Sequence, residues 1–371
     1  MLRALQPTTM PRPILATIDI AALRNNLGVA RRHAGERRLW AVVKANAYGH
    51  GLERALRGFA GADGLALLDL DEAARARASG WHKPILLLEG FFAAADLRLV
   101  DELRLTTVVH DWAQIGMLAE FRPRSPVDVY VKVNTGMNRL GFPVAEAAGA
   151  VDRLAALPGA RVAALMTHFA NADRDDAHAG PAAVAEQLRA FDEACHRWTG
   201  PRCLANSAAL LLHPQAGGDA VRPGIALYGA TPVAGRAASS FGLLPAMSLT
   251  ARVLSVQRLD AGASLGYGSR WRAARASRIG VLACGYADGY PRVAADGTPV
   301  WIGGQRVPLV GRVSMDMITV DLTDAPAVGA GAEAELWGRH IPVDEVAEAC
   351  GTVGYELLCA LARRVPAAEI G

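Results

Sequence analysis

Lys44 ends an apolar run, 39–43, and is followed at once by Asn46, Tyr48, His50 and two glycines in the stretch AVVKANAYGHG. An amine at the end of a buried strand is drier than one in water, and desolvation favours the neutral form that condenses with carbonyls to make a Schiff base. A solitary lysine in such a place usually snorkels into solvent. Here a phenol, an amide and an imidazole crowd around it. Other apolar runs also close on polar groups: Glu89, His110, Asn134 leading to Arg139, His168, Asn206 with Ser207, and Tyr228. Each alone is an ordinary residue at a strand exit, but together they are what a single site requires. Two chemistries remain open for the lysine: a Schiff base with the substrate itself, or one with pyridoxal phosphate. The second needs a phosphate site. Asn206-Ser207 opens the helical SAALLL, where free N–H groups attract an anion. In RPGIALYG, Gly224 lets a ligand approach the backbone, and Pro223 confines the preceding Arg222 to extended geometry.

These residues must be positioned by something regular. Apolar, strand-like runs occur at 39–45, 64–70, 84–89, 106–110, 127–134, 161–168, 202–206 and 221–228, eight in all. Amphipathic segments at 71–79, 111–121, 143–157 and 181–198 lie between them. Buried strands alternating with helices predict a parallel sheet, and eight such units fit a closed (β/α)₈ barrel spanning 14–235. In that fold, functional groups project from the C-terminal ends of the strands, which is where the polar residues fall. From 236 to 371 the texture changes to strand-like runs at 247–260, 279–286, 299–307, 310–322 and 334–337, separated by glycine turns. Gly303-Gly304 reads as a tight hairpin turn. Short helices at 343–349 and 357–363 complete a second, mostly β domain, which residues 1–13 are expected to join.

The chain has 371 residues, 51% of them hydrophobic, enough to bury a large core in one or two domains. The formal charge of +3 comes from scattered acids and bases with no basic tract. A small-molecule partner is therefore expected rather than nucleic acid. Five cysteines lack the CxxC spacing of a metal knuckle and leave one over if paired. They suggest reduced thiols in a cytoplasmic protein, with no metal. No apolar run is long enough to span a bilayer, and MLRALQPTTM has no apolar core of an export signal. Met10 offers an alternative start.

The chain resembles alanine racemase, the two-domain pyridoxal-phosphate family, from LATIDIAALRNNL to VGYELLC. AVVKANAYGHG corresponds to the family's cofactor-lysine motif. KVNTGMNRLGF, MTHFANAD, ANSAA, RPGIALYG, LGYGSRW, GYADGY and GRVSMDM follow in the family's order. The resemblance implies interconversion of L- and D-alanine, with Lys44 as cofactor lysine and one acid/base, and Tyr267 as the other. A free phenol, with a pKa of about 10, is a poor base at neutral pH. His168 and Arg222 form the implied chain behind it. Arg222 would face the cofactor ring nitrogen, Asn206 would bind the cofactor, and Tyr48, Ser207, the Gly224 and Ile225 amides and Tyr355 would surround the phosphate. Arg139 would pair with the cofactor phenolic oxygen or the substrate carboxylate, and Tyr286, Met315 and Asp316 would line the substrate mouth. Lys132 matches a lysine that some members carbamylate. The family also implies a homodimer in which Tyr267 and Met315 complete the partner's site. Asn134 stands where the family often has Asp, which removes a charge near Arg139. A single-barrel pyridoxal-phosphate carrier would need neither the second domain nor Tyr267. A barrel decarboxylase for basic amino acids would replace the tyrosine block with a cysteine.

Overall fold

A computed structural model of the chain describes residues 12–174 and 183–371. The opening MLRALQPTTM and the first residues of the helix expected from 181 lie outside them. The backbone divides into two units, Leu23–Leu243 and a second made of residues up to Ala22 together with Leu244–Gly371.

The first unit is the expected barrel. Its strands are short and almost wholly buried, as in Arg38–Val42, Gly64–Leu67 and Ile85–Leu87. They are buried because each is covered on both faces, by the barrel interior and by the outer helices. Thr106–Val109, Val127–Asn134, Ala160–Met166, Arg202–Cys203 and Ala220–Val221 follow. Neighbours pair in parallel around the ring, and Ala220–Val221 returns to Arg38–Val42 to close it. Side-chain caps start the intervening helices: Asp69 accepts the Asp71 N–H, Asp111 the Ala113 N–H and Asn206 the Ala209 N–H.

The last strand is shorter than expected. The run 221–228 is strand only at Ala220–Val221 and then turns through a 3₁₀ segment, Ile225–Tyr228. Pro223 has no N–H to extend the ladder, and Gly224 leaves the extended region at φ −118°, ψ −93°. Arg222, rather than Tyr228, therefore stands at the strand exit. Tyr228 is buried, donates to the Val42 carbonyl at 2.9 Å and stacks on Tyr48.

The second unit is built on the long strand Met247–Leu259, whose inward-facing residues alternate with outward-facing ones along its first half. It pairs with Glu333–Trp337, Ser277–Leu282 and Ile14–Asp19. Ile14–Asp19 also pairs in parallel with Ala367–Ile370. Residues 14–22, expected at the start of the barrel, thus belong to the β unit. The cause is ladder pairing with strands more than 200 residues away in sequence, which no local pattern reveals. Gly303 and Gly304, both with positive φ, join Pro299–Ile302 to Gln305–Pro308 as the expected hairpin. Of the run 310–322 only Ile318–Asp321 is strand, and the segment before it is a loop. The final helix is Gly354–Cys359 rather than 357–363.

Candidate active site

Lys44 follows the strand Arg38–Val42 and enters a turn of unusual hand. Ala45, Asn46, Ala47 and Tyr48 all have φ between 49° and 55°, a left-handed helical turn of non-glycine residues. That conformation costs about 1–2 kcal/mol per residue, because Cβ crowds the following carbonyl oxygen. Gly49, at φ 80°, ends the turn without this penalty. The turn places Tyr48 against the last barrel strand. A Cβ built on Gly224 would lie 2.5 Å from the Tyr48 hydroxyl, so only glycine admits that approach. Ser207, buried beside them, accepts the Gly224 N–H at 2.7 Å and the Ala226 N–H at 3.4 Å through Oγ. Two backbone donors thus converge on one oxygen, the geometry a phosphate oxygen would meet. Asn206 caps its helix, its Oδ1 accepting the Ala209 N–H at 2.9 Å, so its side chain serves the helix directly.

Arg222 is buried without a carboxylate partner among the described residues. Its Nη1 donates to the Cys203 carbonyl at 2.6 Å and to Cys203 Sγ at 3.0 Å; Nη2 donates to the carbonyls of Thr167 at 2.7 Å and Leu204 at 3.2 Å. All four Nη hydrogens are thereby engaged, which leaves Nε–H, without an acceptor among the described residues, as the donor for a ligand. His168, next to Thr167, is pushed down to about 3 by burial and then by the charges of Arg222, Lys132, Arg139 and Lys44. It is a neutral imidazole at any physiological pH. Lys132, also buried, is lowered to about 8 by burial, then Arg222 and Arg139, with Glu89 opposing and Lys44 adding. Four cations therefore share the mouth of the barrel with Glu89 as the opposing acid, a surplus that suits an anionic occupant. His110 is brought to the same rim, its Nε2 3.1 Å from the Glu89 carbonyl.

Asn134 does what an aspartate there could not. Its Oδ1 accepts the N–H groups of Gly136 and Asn138 at 3.1 and 3.0 Å, while its Nδ2 donates to Asn138 Oδ1 at 3.0 Å. The amide thus braces the loop that carries the exposed Arg139 by hydrogen bonds alone.

The remaining expected residues lie on the β unit. Tyr267 is 72% exposed, on a short turn flanked by Gly266 and Gly268, both with positive φ. Met315 is 52% and Tyr286 38% exposed. Their loops are locked together: Tyr286 N–H donates to the Ser314 carbonyl and Ala287 N–H to the Met315 carbonyl, each at 3.0 Å. A Cβ on Gly285 would meet the Met315 carbonyl at 2.4 Å, so the contact requires glycine. Among the described residues, no protein acceptor takes the Met315 N–H. Tyr355 sits on the helix Gly354–Cys359. Asp316 is engaged with the protein itself: its carboxylate meets Arg364 at 2.7 Å and Arg12 at 3.4 Å.

That ion cluster was not expected from the sequence. Its centre is Asp288, fully buried, which accepts from Arg364 at 2.7 Å, Arg12 at 3.1 Å and the Gly285 N–H at 2.9 Å. Arg12 also donates to the Asp316 carbonyl at 2.9 Å. It clamps the two loops that carry Tyr286 and Met315. Its members are far apart in sequence, and the only local sign was the acid within GYADGY.

Comparison with known proteins adds to this geometry. Residues 18–232 match the profile of the alanine racemase N-terminal domain, and residues 246–368 that of the alanine racemase C-terminal domain. The chain belongs to the alanine racemase family. A relative named alanine racemase from Janthinobacterium sp. (strain Marseille) is 55% identical over 361 residues, covering 97% of this chain and 100% of the relative. The crystal structure of the biosynthetic alanine racemase from Pseudomonas aeruginosa superposes with a TM-score of 0.93 at 46% identity, covering 97% of this chain and 100% of that one. The alanine racemase from Bartonella henselae, crystallised with covalently bound pyridoxal phosphate, has a TM-score of 0.87 at 30% identity, covering 97% of this chain and 100% of that one. Alanine racemases are isomerases that interconvert L- and D-alanine, and barrel plus β domain is their shared fold. Among the described residues no group of three or more His, Cys, Asp and Glu is placed to hold a metal ion. Among them, too, no helix is long and apolar enough to cross a membrane.

Proposed function

We propose that this chain interconverts L- and D-alanine with pyridoxal phosphate held at Lys44, and with Lys44 and Tyr267 as the two acid/base groups. The observation that carries the reading is the crowding of Lys44, Lys132, Arg139 and Arg222 around His168, beside a pair of amides converging on one oxygen. Such a site fits a group with a phosphate and a ring nitrogen acceptor. When bound, the cofactor supplies the aldehyde that condenses with amines and an electron sink for the substrate Cα, kept modest because an arginine partner holds its proton.

The chain's own groups do the rest. Lys44 binds the cofactor and, once released, moves the proton at Cα on one side. The Tyr267 hydroxyl moves it on the opposite side, since inversion needs removal from one face and return to the other. Arg222 holds the ring nitrogen through Nε, its Nη groups being committed to carbonyls and Cys203. Neutral His168 serves as the hydrogen-bond partner of the phenol, with Arg222 acting on it through its charge. Tyr48, Ser207, Gly224, Ile225 and Tyr355 hold the phosphate, and Arg139 with the free Met315 N–H holds the substrate carboxylate. Tyr286 and Asp316 shape the mouth, Asp316 through its ion pairs.

Lys132 is carbamylated in this reading. With its amine lowered to about 8, a neutral fraction is present for carbon dioxide, and the carbamate replaces a cation beside Arg139 with an anion. The exposure of Tyr267 and Met315 supports a homodimer in which each chain completes the other's site. Five free thiols support a cytoplasmic location. D-alanine made there would supply peptidoglycan, and the reverse direction would degrade it.

The test is direct. The protein mixed with pyridoxal phosphate and L-alanine should lose optical rotation without releasing carbon dioxide, and borohydride followed by mass spectrometry should locate a pyridoxyl adduct on Lys44. An adduct on another lysine, or unchanged rotation, overturns the assignment. Carbon dioxide released from lysine or ornithine would favour the decarboxylase reading instead.

A further inference from the structure

The direction in which the Lys44 side chain leaves the barrel depends on the turn it enters. A left-handed turn of L-residues persists only where its surroundings impose it. Within the turn, Ala47 N–H donates to the Val43 carbonyl at 2.8 Å and Gly49 N–H to the Ala45 carbonyl at 3.0 Å. These bonds leave the amides at its start without partners inside the turn. The Asn46 N–H is taken from outside, by Glu72 Oε1 at 2.5 Å, on the helix Leu70–Ala78. The Asn46 side chain then accepts the Leu52 N–H at 3.1 Å and reaches Arg75 Nη2 at 3.5 Å, tying the turn to the next helix.

Glu72 is costly where it stands. It is half-buried, and its second oxygen, Oε2, is buried with no hydrogen-bond partner among the described residues. Burial, with Asp69 adding, holds its carboxyl above the usual range despite the Asn46 amide and Arg75. A glutamate serving only its own helix would turn to solvent and avoid both penalties. Arg75, the obvious partner on that helix, is instead bound to Glu53 at 2.8 Å.

We propose that Glu72 is a positioning residue: by holding the Asn46 amide it fixes the left-handed turn 45–48, and through it the direction of the Lys44 amine. The inference rests on the reading that Lys44 captures pyridoxal phosphate.

The test compares Glu72→Ala, which removes the acceptor, with Glu72→Gln, which keeps an oxygen for the Asn46 N–H. Full-length protein stripped of cofactor is mixed with pyridoxal phosphate, imine formation is followed by absorbance, and the adduct is located after borohydride. Glu72→Ala should slow capture by about tenfold, the effect of losing a hydrogen bond to a charged group, while Glu72→Gln stays within about twofold. Amide hydrogen exchange should rise in the 44–49 segment of Glu72→Ala only, with its melting temperature unchanged. Capture by Glu72→Ala at the unaltered rate overturns the proposal, as does equal slowing in both variants, or a lowered melting temperature without faster exchange at 44–49. An adduct elsewhere than Lys44 in the unsubstituted protein removes the functional reading, and this inference with it.

Discussion

The barrel and the β unit present their candidate residues in opposite ways. Lys132, Ser207 and Arg222 are buried and His168 is half-buried, and Lys132 and His168 titrate far from their ordinary values. Tyr267, Met315 and Tyr286 stand out in solvent at 72%, 52% and 38% exposure. The barrel site is preorganised by its own packing. The β unit preorganises loops instead, through the buried Asp288 cluster, and leaves the tips of its side chains uncovered. The difference teaches that exposure alone does not mark a residue as idle.

If that contrast is right, substitutions in the two regions should fail differently. Lys44→Ala should abolish the borohydride-trapped adduct and lower racemisation by about 10³-fold or more, measured by optical rotation and mass spectrometry. Tyr267→Phe should lower kcat by about 10²–10⁴-fold yet retain bound cofactor, with stability within about 0.5 kcal/mol because the ring is exposed. Loss of the cofactor's colour there would mean the tyrosine is structural and the contrast false. Asp288→Asn should destabilise by about 2–3 kcal/mol in thermal or denaturant unfolding, since it weakens charged hydrogen bonds to two partly exposed guanidiniums that still keep Asp316. Arg222→Met should cost about 2–3 kcal/mol, from carbonyls left without donors.

The smallest effect is a pH dependence. The Lys132 folded value of about 8 lies below the ordinary 10.5, so between the two the unfolded chain binds more protons. Stability attributable to this group therefore rises with pH across that window and falls as pH drops through about 8, with a slope of at most about 1.4 kcal/mol per pH unit. In carbonate-free buffer Lys132→Met should flatten that rise; an unchanged melting profile would mean the lysine is not desolvated as described.

Some of this was legible in residue order. The run 127–134 is the strand Val127–Asn134, and 343–349 is the helix Val343–Ala349, because their apolar spacing matches one period only. The Gly303-Gly304 turn needed two positive φ values, which that pair supplies. By contrast, nothing local distinguishes Ile14–Asp19 as a strand of the β sheet, since its partners come from 247–251 and 367–370. Nor does KANAY announce a left-handed turn. Alanine is the strongest right-handed helix former, and only outside partners such as Glu72 reverse its preference here.

Residue order by itself determined the barrel, the mostly β second unit and the ordered motifs that mark the family, because periodicity and motif spacing are local properties of the chain. Tertiary structure decided which polar residues act on one another. Arg222, Lys132 and His168 perturb each other only because strands distant in sequence close into one ring, and Arg12 meets Asp288 only because the β sheet brings them together. Electrostatic coupling depends on distance and burial, and neither is written in the order of the residues.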